Sequence, residues 1–215
     1  MSYSINTESA KKANNRGGYI KTNGDYLLKV ELAEWVKGKE PKQSRAIKLH
    51  LVDANSQKAS IDIWFQKADG SRNETSASVL DGIMTCMKLT NLSESVVDVG
   101  GAQVNMCPEL EGKFIGMLIQ AETDAYIKDG MTETIDKPII YGVYQYKTNL
   151  TPAEILNGAT SSVELGQMKS RLENEKQRFT KEYRKLIGSG GGQSNGSYGG
   201  QQQSGAPKLD DELPW

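Results

Sequence analysis

Two cysteines and a single histidine are all that the 215 residues supply of the side chains most used for metal ligation and nucleophilic chemistry. Cys86 and Cys107 stand in unrelated surroundings, without the close spacing of a zinc site or the numbers of a disulfide framework. Both read as reduced, structural residues. A histidine-based triad has only His50 to draw on. There is no P-loop, no nucleophile motif and no carboxylate spacing like that of a two-metal nuclease, so neither an enzyme nor a bound metal or cofactor is expected. No apolar run approaches the roughly 18 residues a membrane helix needs. Met1–Ala10 also lacks the apolar centre of a signal peptide, and the expected location is the cytoplasm.

Charge of one sign is missing only on average. The formal net charge is -1, yet residues 1–60 hold 11 Lys/Arg against 6 Asp/Glu and residues 61–163 hold 7 against 14. Residues 164–187 hold 7 against 4, and residues 188–215 hold 1 against 3. A basic front and an acidic end suit a chain that meets a polyanion at one end only. The mean hydropathy of -0.56 places part of the chain outside any core.

What is present begins with alternation. From Tyr26 to Val36, residues Tyr26, Leu28, Val30 and Leu32 fall on one face, with Lys29, Glu31, Ala33 and Trp35 on the other. The polar segment Lys37–Ser44, with Gly38 and Pro41, reads as a turn. Arg45–Val52 turns Ile47, Leu49 and Leu51 inward and Lys48 and His50 outward, and Ala59–Gln66 turns Ile61, Ile63 and Phe65 inward and Asp62 and Trp64 outward. These three runs predict an antiparallel meander with one buried face. The period then changes: Val79, Leu80, Ile83, Met84 and Met87 predict an amphipathic helix over Ser76–Leu89. Strand signals resume at Lys113–Glu122 and at Pro138–Tyr146, both apolar on two faces over part of their length.

The resulting β-β-β-α-β-β order is that of a five-stranded OB-type barrel with a helix between strands three and four. Glu164–Ile187 predicts a further helix, with Leu165, Met168, Leu172, Phe179 and Tyr183 on one side and basic residues on the other. That basic side is either a solvated face or a surface that also touches phosphates. Gly188–Pro207 holds 8 Gly, 4 Ser and 4 Gln and no charge, a composition expected to stay a flexible coil spanning about 25 Å. The expected organisation is a flexible arm (1–19), an OB domain (20–150), a helical extension (151–187), a disordered linker (188–207) and an acidic tip (208–215).

The closing residues Asp210, Asp211, Glu212, Leu213, Pro214 and Trp215 are similar to the acidic-then-hydrophobic tip of bacterial single-stranded DNA-binding proteins, with tryptophan in place of the usual phenylalanine. The body instead resembles the OB-fold single-stranded DNA-binding proteins of bacteriophages. The similar elements are Gly24-Asp25-Tyr26, the Ile61–Phe65 strand and the Gly112–Gly116 strand, within roughly residues 20–150. The resemblance implies a protein that coats single-stranded DNA in replication, recombination or repair, in a phage-infected host cytoplasm. It also implies that the tip recruits a polymerase, helicase, primase or nuclease. Leu213, Pro214 and Trp215 would fill an apolar pocket whose basic rim meets the acidic residues.

Sequence-independent binding needs cations along the backbone and flat rings for the bases. Lys29, Lys48, Trp35 and Trp64 are expected on the outward strand faces, and Lys37, Lys39, Lys42 and Arg45 in or beside the first loop, which flanks the cleft of an OB fold. Lys11, Lys12 and Arg16 add candidate contacts from the arm. Tyr141, Tyr144 and Tyr146 fit either a core or a ligand face. Two other readings stay open: an RNA-binding OB protein, and a protein–protein adaptor with a docking tail.

Overall fold

Strand-forming alternation, carried by β-branched and leucine residues, makes sheet the main regular structure of the described residues. The computed structural model describes residues 18–99, 101–175 and 177–187. They form β1 (Gly24–Lys37), β2 (Arg45–Asp53), β3 (Lys58–Gln66), α1 (Glu74–Met87), β4 (Ser95–Val99), β5 (Ala102–Met106), β6 (Phe114–Lys128), β7 (Met131–Tyr144), α2 (Pro152–Leu156), α3 (Glu164–Asn174), β8 (Arg178–Phe179) and α4 (Lys181–Leu186). The eight strands make one sheet, antiparallel except where β8 meets β6. No described helix is long and apolar enough to cross a membrane.

The long strand β1 organises the sheet. One edge pairs with β2 along most of its length, from Leu28↔Asp53 to Lys37↔Arg45. The other edge is shared, by β6 from Gly24↔Ile119 to Lys29↔Phe114 and by β5 at Glu34↔Met106. Leu28, Val30, Leu49, Leu51, Ile63 and Ile115 project into one core, which α1 covers with Leu80, Ile83 and Cys86. The ladders do not by themselves close this sheet into a five-stranded barrel, because none joins β3 to β7 among the described residues. Beside β3, the Ile20 N–H donates to the Lys58 carbonyl at 2.8 Å, which seats Ile20 in the core at 1% exposure.

Two hairpins differ from expectation. The polar stretch after the helix contains β4 and β5, joined at Val99↔Ala102. The late strands run on as an arm, Glu122↔Lys137 to Lys128↔Met131, past the start of β1. Charged and hydroxyl residues interrupt the few apolar ones there, so no apolar face reveals it. Where β1 stops, Asn23 Oδ1 accepts the Ala121 N–H at 2.8 Å, and β8 takes over the edge of β6.

The expected single helix over 164–187 is therefore broken. α3 ends at Asn174, Arg178 and Phe179 pair with Glu122 and Thr123, and Thr180 caps α4. Thr180 Oγ1 also donates to Asp124 Oδ1 at 2.6 Å, so the unpaired edge of β6 competes successfully with helix continuation. α3 packs on the outward face of β6 and β7, where Leu118, Tyr144, Leu165 and Leu172 form a second core. This explains why the late strands are apolar on both faces.

The junction of α2 and α3 rests on one carboxylate. Glu154, 7% exposed, accepts the backbone N–H of Glu164 at 2.9 Å, of Thr151 at 2.9 Å and of Val163 at 2.5 Å. These donors hold its carboxyl down at about 2, below the ordinary 4.5. The Thr151 side chain completes the capping box of α2.

Candidate nucleic-acid interface

One extra residue in β1 decides which side chains reach the outward face. Val30 pairs with Leu51 but Leu32 with His50, so Glu31 bulges and the alternation inverts beyond it. Lys29 precedes the bulge and is exposed on the outward side as expected. Leu32 and Trp35 do not follow the expected alternation. Leu32 now shares the side of His50, and Trp35 shares the core side of Ile47.

Trp35 closes the rim of the core. Its indole N–H donates to the Ser93 carbonyl at 2.8 Å and its ring meets Phe65 edge-on, with centroids 5.9 Å apart. The Arg45 guanidinium lies 5.1 Å from its ring centroid. Glu94 then binds both neighbouring cations, Arg45 at 3.1 Å and Lys37 at 3.5 Å. Three of the expected ligand residues thus belong to a latch that ties β1 and β2 to the segment before β4. A base reaching Trp35 has to displace Arg45.

The middle of the outward face is charge-compensated. The register aligns Glu34, Lys48 and Asp62 across three strands. Lys48 lies 3.9 Å from Asp62, and His50 Nε2 lies 2.7 Å from Glu34 Oε1. Such exposed pairs contribute only about 0–1 kcal/mol each, so a phosphate can compete for Lys48, although it meets two carboxylates there.

Trp64 is placed differently. A bulge in β3 sets Trp64 and Phe65 together opposite Ala46. Phe65 packs on the core, whereas Trp64 is half-buried and belongs to neither hydrophobic cluster. Its ring has no aromatic or cationic partner and its N–H no acceptor among the described residues. The nearby loop carries Lys39 and Lys42, both exposed and without an ion pair among the described residues. Gly38 N–H to Ser44 O (2.8 Å), Gln43 N–H to Ala68 O (3.0 Å) and Gln66 Nε2 to Gln43 O (2.9 Å) brace this loop against the turn after β3. The turn adds the exposed Lys67.

The three tyrosines separate. Tyr144 is 2% exposed and donates to Asp25 at 2.5 Å, and burial, then Asp25, push its phenol upward. Tyr141 is half-buried against the second core. Tyr146 is 41% exposed and its ring pairs with that of Phe114, itself 50% exposed. Phe114 was not among the expected site residues. Its alternation with Ile115 and Met117 was the available signal, hidden because the strand is apolar on both faces.

Neither thiol is poised to react: burial pushes Cys86 and Cys107 up to about 12. Among the described residues no cluster of His, Cys, Asp and Glu is arranged to hold a metal ion. Lys11, Lys12, Arg16 and the tip from Asp210 through Asp211, Glu212, Leu213 and Pro214 to Trp215 lie outside the described residues, as do the linker and nearly all of the arm. No protein-family model and no curated protein sequence matches the chain.

Proposed function

We propose that the chain binds and shields single-stranded DNA with little regard to sequence, and that residues 208–215 recruit replication, recombination or repair proteins. The observation that carries this reading is Trp64, half-buried at the β3 bulge with no ring, cation or hydrogen-bond partner among the described residues, beside a loop whose Lys39 and Lys42 have no ion pair among them. A large surface ring with no ring, cation or hydrogen-bond partner is suited to stack an unpaired base with the part of its face that solvent reaches. Cations with no internal partner add the backbone attraction.

The strand path supports an OB-type reading. β1, β2 and β3 form the meander, α1 follows β3, β6 returns along β1, and β7 lies beyond β6. On this reading β4 and β5 are an inserted hairpin, and the seam between β3 and β7 is filled by side chains and Ile20 rather than by a ladder. The loop with Lys39 and Lys42 then flanks the ligand face, as the corresponding loop does in OB folds.

Stacking on an aromatic ring contributes about 1–3 kcal/mol per base, so Trp64→Ala should weaken oligo-dT binding about 5- to 150-fold. Trp35→Phe should leave it near wild type, because the Trp35 ring is already occupied. Equal affinities for wild type and Trp64→Ala would remove the residue from the site. Tighter binding of oligo-U than of oligo-dT would redirect the assignment to RNA.

A further inference from the structure

The outward face of the sheet has a second aromatic surface, away from Trp64. One transverse row runs through directly opposed residues: Lys58 beside Val52, Val52 beside Lys29, and Lys29 beside Phe114. Directly opposed residues share a face, so these four side chains line one side of the sheet. Tyr146 extends the row, its ring 5.3 Å from that of Phe114 and tilted 30° to it. In the next row of this face, Leu27 opposes Gly116 and Gly116 opposes Tyr144, and α3 covers Tyr144 but not Leu27, which is 48% exposed. The helix thus stops short of Phe114 and Tyr146 and leaves both rings open.

Unpaired charge beside these rings is mainly positive. Lys29, Lys113 and Lys147 have no ion pair among the described residues. The neighbouring carboxylates are engaged: Asp25 by Lys169 at 2.5 Å and by Tyr144, and Glu31 by Lys58 at 3.7 Å. Glu111, two residues before Lys113, is partly buried with one carboxylate oxygen out of solvent. Two exposed rings edged by unpaired lysines fit a ligand that is both anionic and flat-faced, which an apolar partner helix is not.

We infer that Phe114 and Tyr146, with Lys29, form a second stacking platform for the same nucleic-acid strand that engages Trp64. This rests on the reading of the chain as a single-strand binder. The strand would cross the meander diagonally. From Ala46, opposite Trp64, to Val52 is six residues of β2, or about 20 Å, and from β3 to β6 is three strand spacings, or about 14 Å. The two platforms are therefore roughly 24 Å apart along the sheet, and a short oligonucleotide cannot reach both.

The test is a ladder of oligo-dT lengths bound to the full chain, comparing wild type, Trp64→Ala and Phe114→Ala/Tyr146→Ala, with circular dichroism to check that each variant is folded. The double variant should lose about 5- to 150-fold in affinity for long oligonucleotides and nothing for the shortest that wild type binds. Photocrosslinking of wild type with oligonucleotides carrying 5-iodouracil should mark peptides containing Phe114 or Tyr146 only when the oligonucleotide is long. If wild type and Trp64→Ala differ but the double variant binds every length like wild type and no such crosslink forms, the second platform is refuted while the single-strand reading stands. If wild type binds no oligo-dT at all, both fall.

Discussion

Gly116 is a test of how the second core is built. A Cβ placed there would lie 2.0 Å from two carbons of the Tyr144 ring and 2.5 Å from a third. That ring cannot easily withdraw. Its hydroxyl donates to Asp25 at 2.5 Å, Lys169 stands over it at 5.8 Å, and it is 2% exposed. Overpacking a core costs about 1–3 kcal/mol, and loss of the Tyr144 hydrogen bond adds about 1 kcal/mol, so Gly116→Ala should cost about 2–4 kcal/mol. Gly142→Ala is the control on the neighbouring strand. Its added methyl would meet only the tip of Met168 at 2.1 Å, with the next atom at 3.6 Å. Methionine has three rotatable bonds and can move aside, so this change should cost less than about 1.5 kcal/mol. Urea titrations followed by circular dichroism give both values, with the shift in midpoint read at constant slope. Adding Gly116→Ala to Tyr144→Ala should cost much less than in the wild-type background, because the ring it strikes is gone. Equal costs for the two glycine variants, or full additivity with Tyr144→Ala, would refute the reasoning.

Other consequences are accessible to simple assays. Glu154 is depressed to about 2 in the folded chain, so it stabilises the fold above its ordinary 4.5 and loses that contribution as pH falls from 4.5 through 2. Glu154→Gln should flatten the acid limb of a stability–pH curve, and an unchanged limb would contradict this. Cys86 and Cys107 should react with a thiol reagent at pH 8 far more slowly in the native chain than in urea, since both are buried and pushed up to about 12. Equal rates would show that the thiols are accessible. Deleting Asp210–Trp215 should preserve or tighten oligo-dT binding while abolishing recruitment of replication or repair proteins; reduced DNA affinity would contradict that division of labour.

Local alternation made β1, β2, β3 and α1 legible within a few residues, because each has one apolar face and turn residues at its ends. Non-local pairing set what was missed. The bulge at Glu31 follows from where β2 aligns, and nothing in the run from Glu31 to Trp35 announces it; this alone moved Trp35 from the outward face to the rim. The arm beyond Glu122 mixes charged, threonine and scattered apolar residues without one apolar face, and the break before Arg178 arises because β6 offers an open edge. Among the expected site residues, Lys29, Lys39 and Lys42 lie on open surface and Trp64 is half-buried, while Lys37, Arg45 and Trp35 are held together through Glu94 and the Ser93 carbonyl. Salt bridges of that kind join segments about fifty residues apart, which spacing along a chain does not encode.

The measurement that bears most directly on the proposed function is fluorescence anisotropy of labelled oligo-dT and of a duplex of equal length, titrated with the full chain at increasing salt. The account predicts tight binding to oligo-dT, much weaker binding to the duplex, and a linear fall of log affinity with log salt as backbone counterions cease to be released. Equal affinity for the two ligands, or no binding at low salt, would contradict it and point to the sheet face as a protein-docking surface.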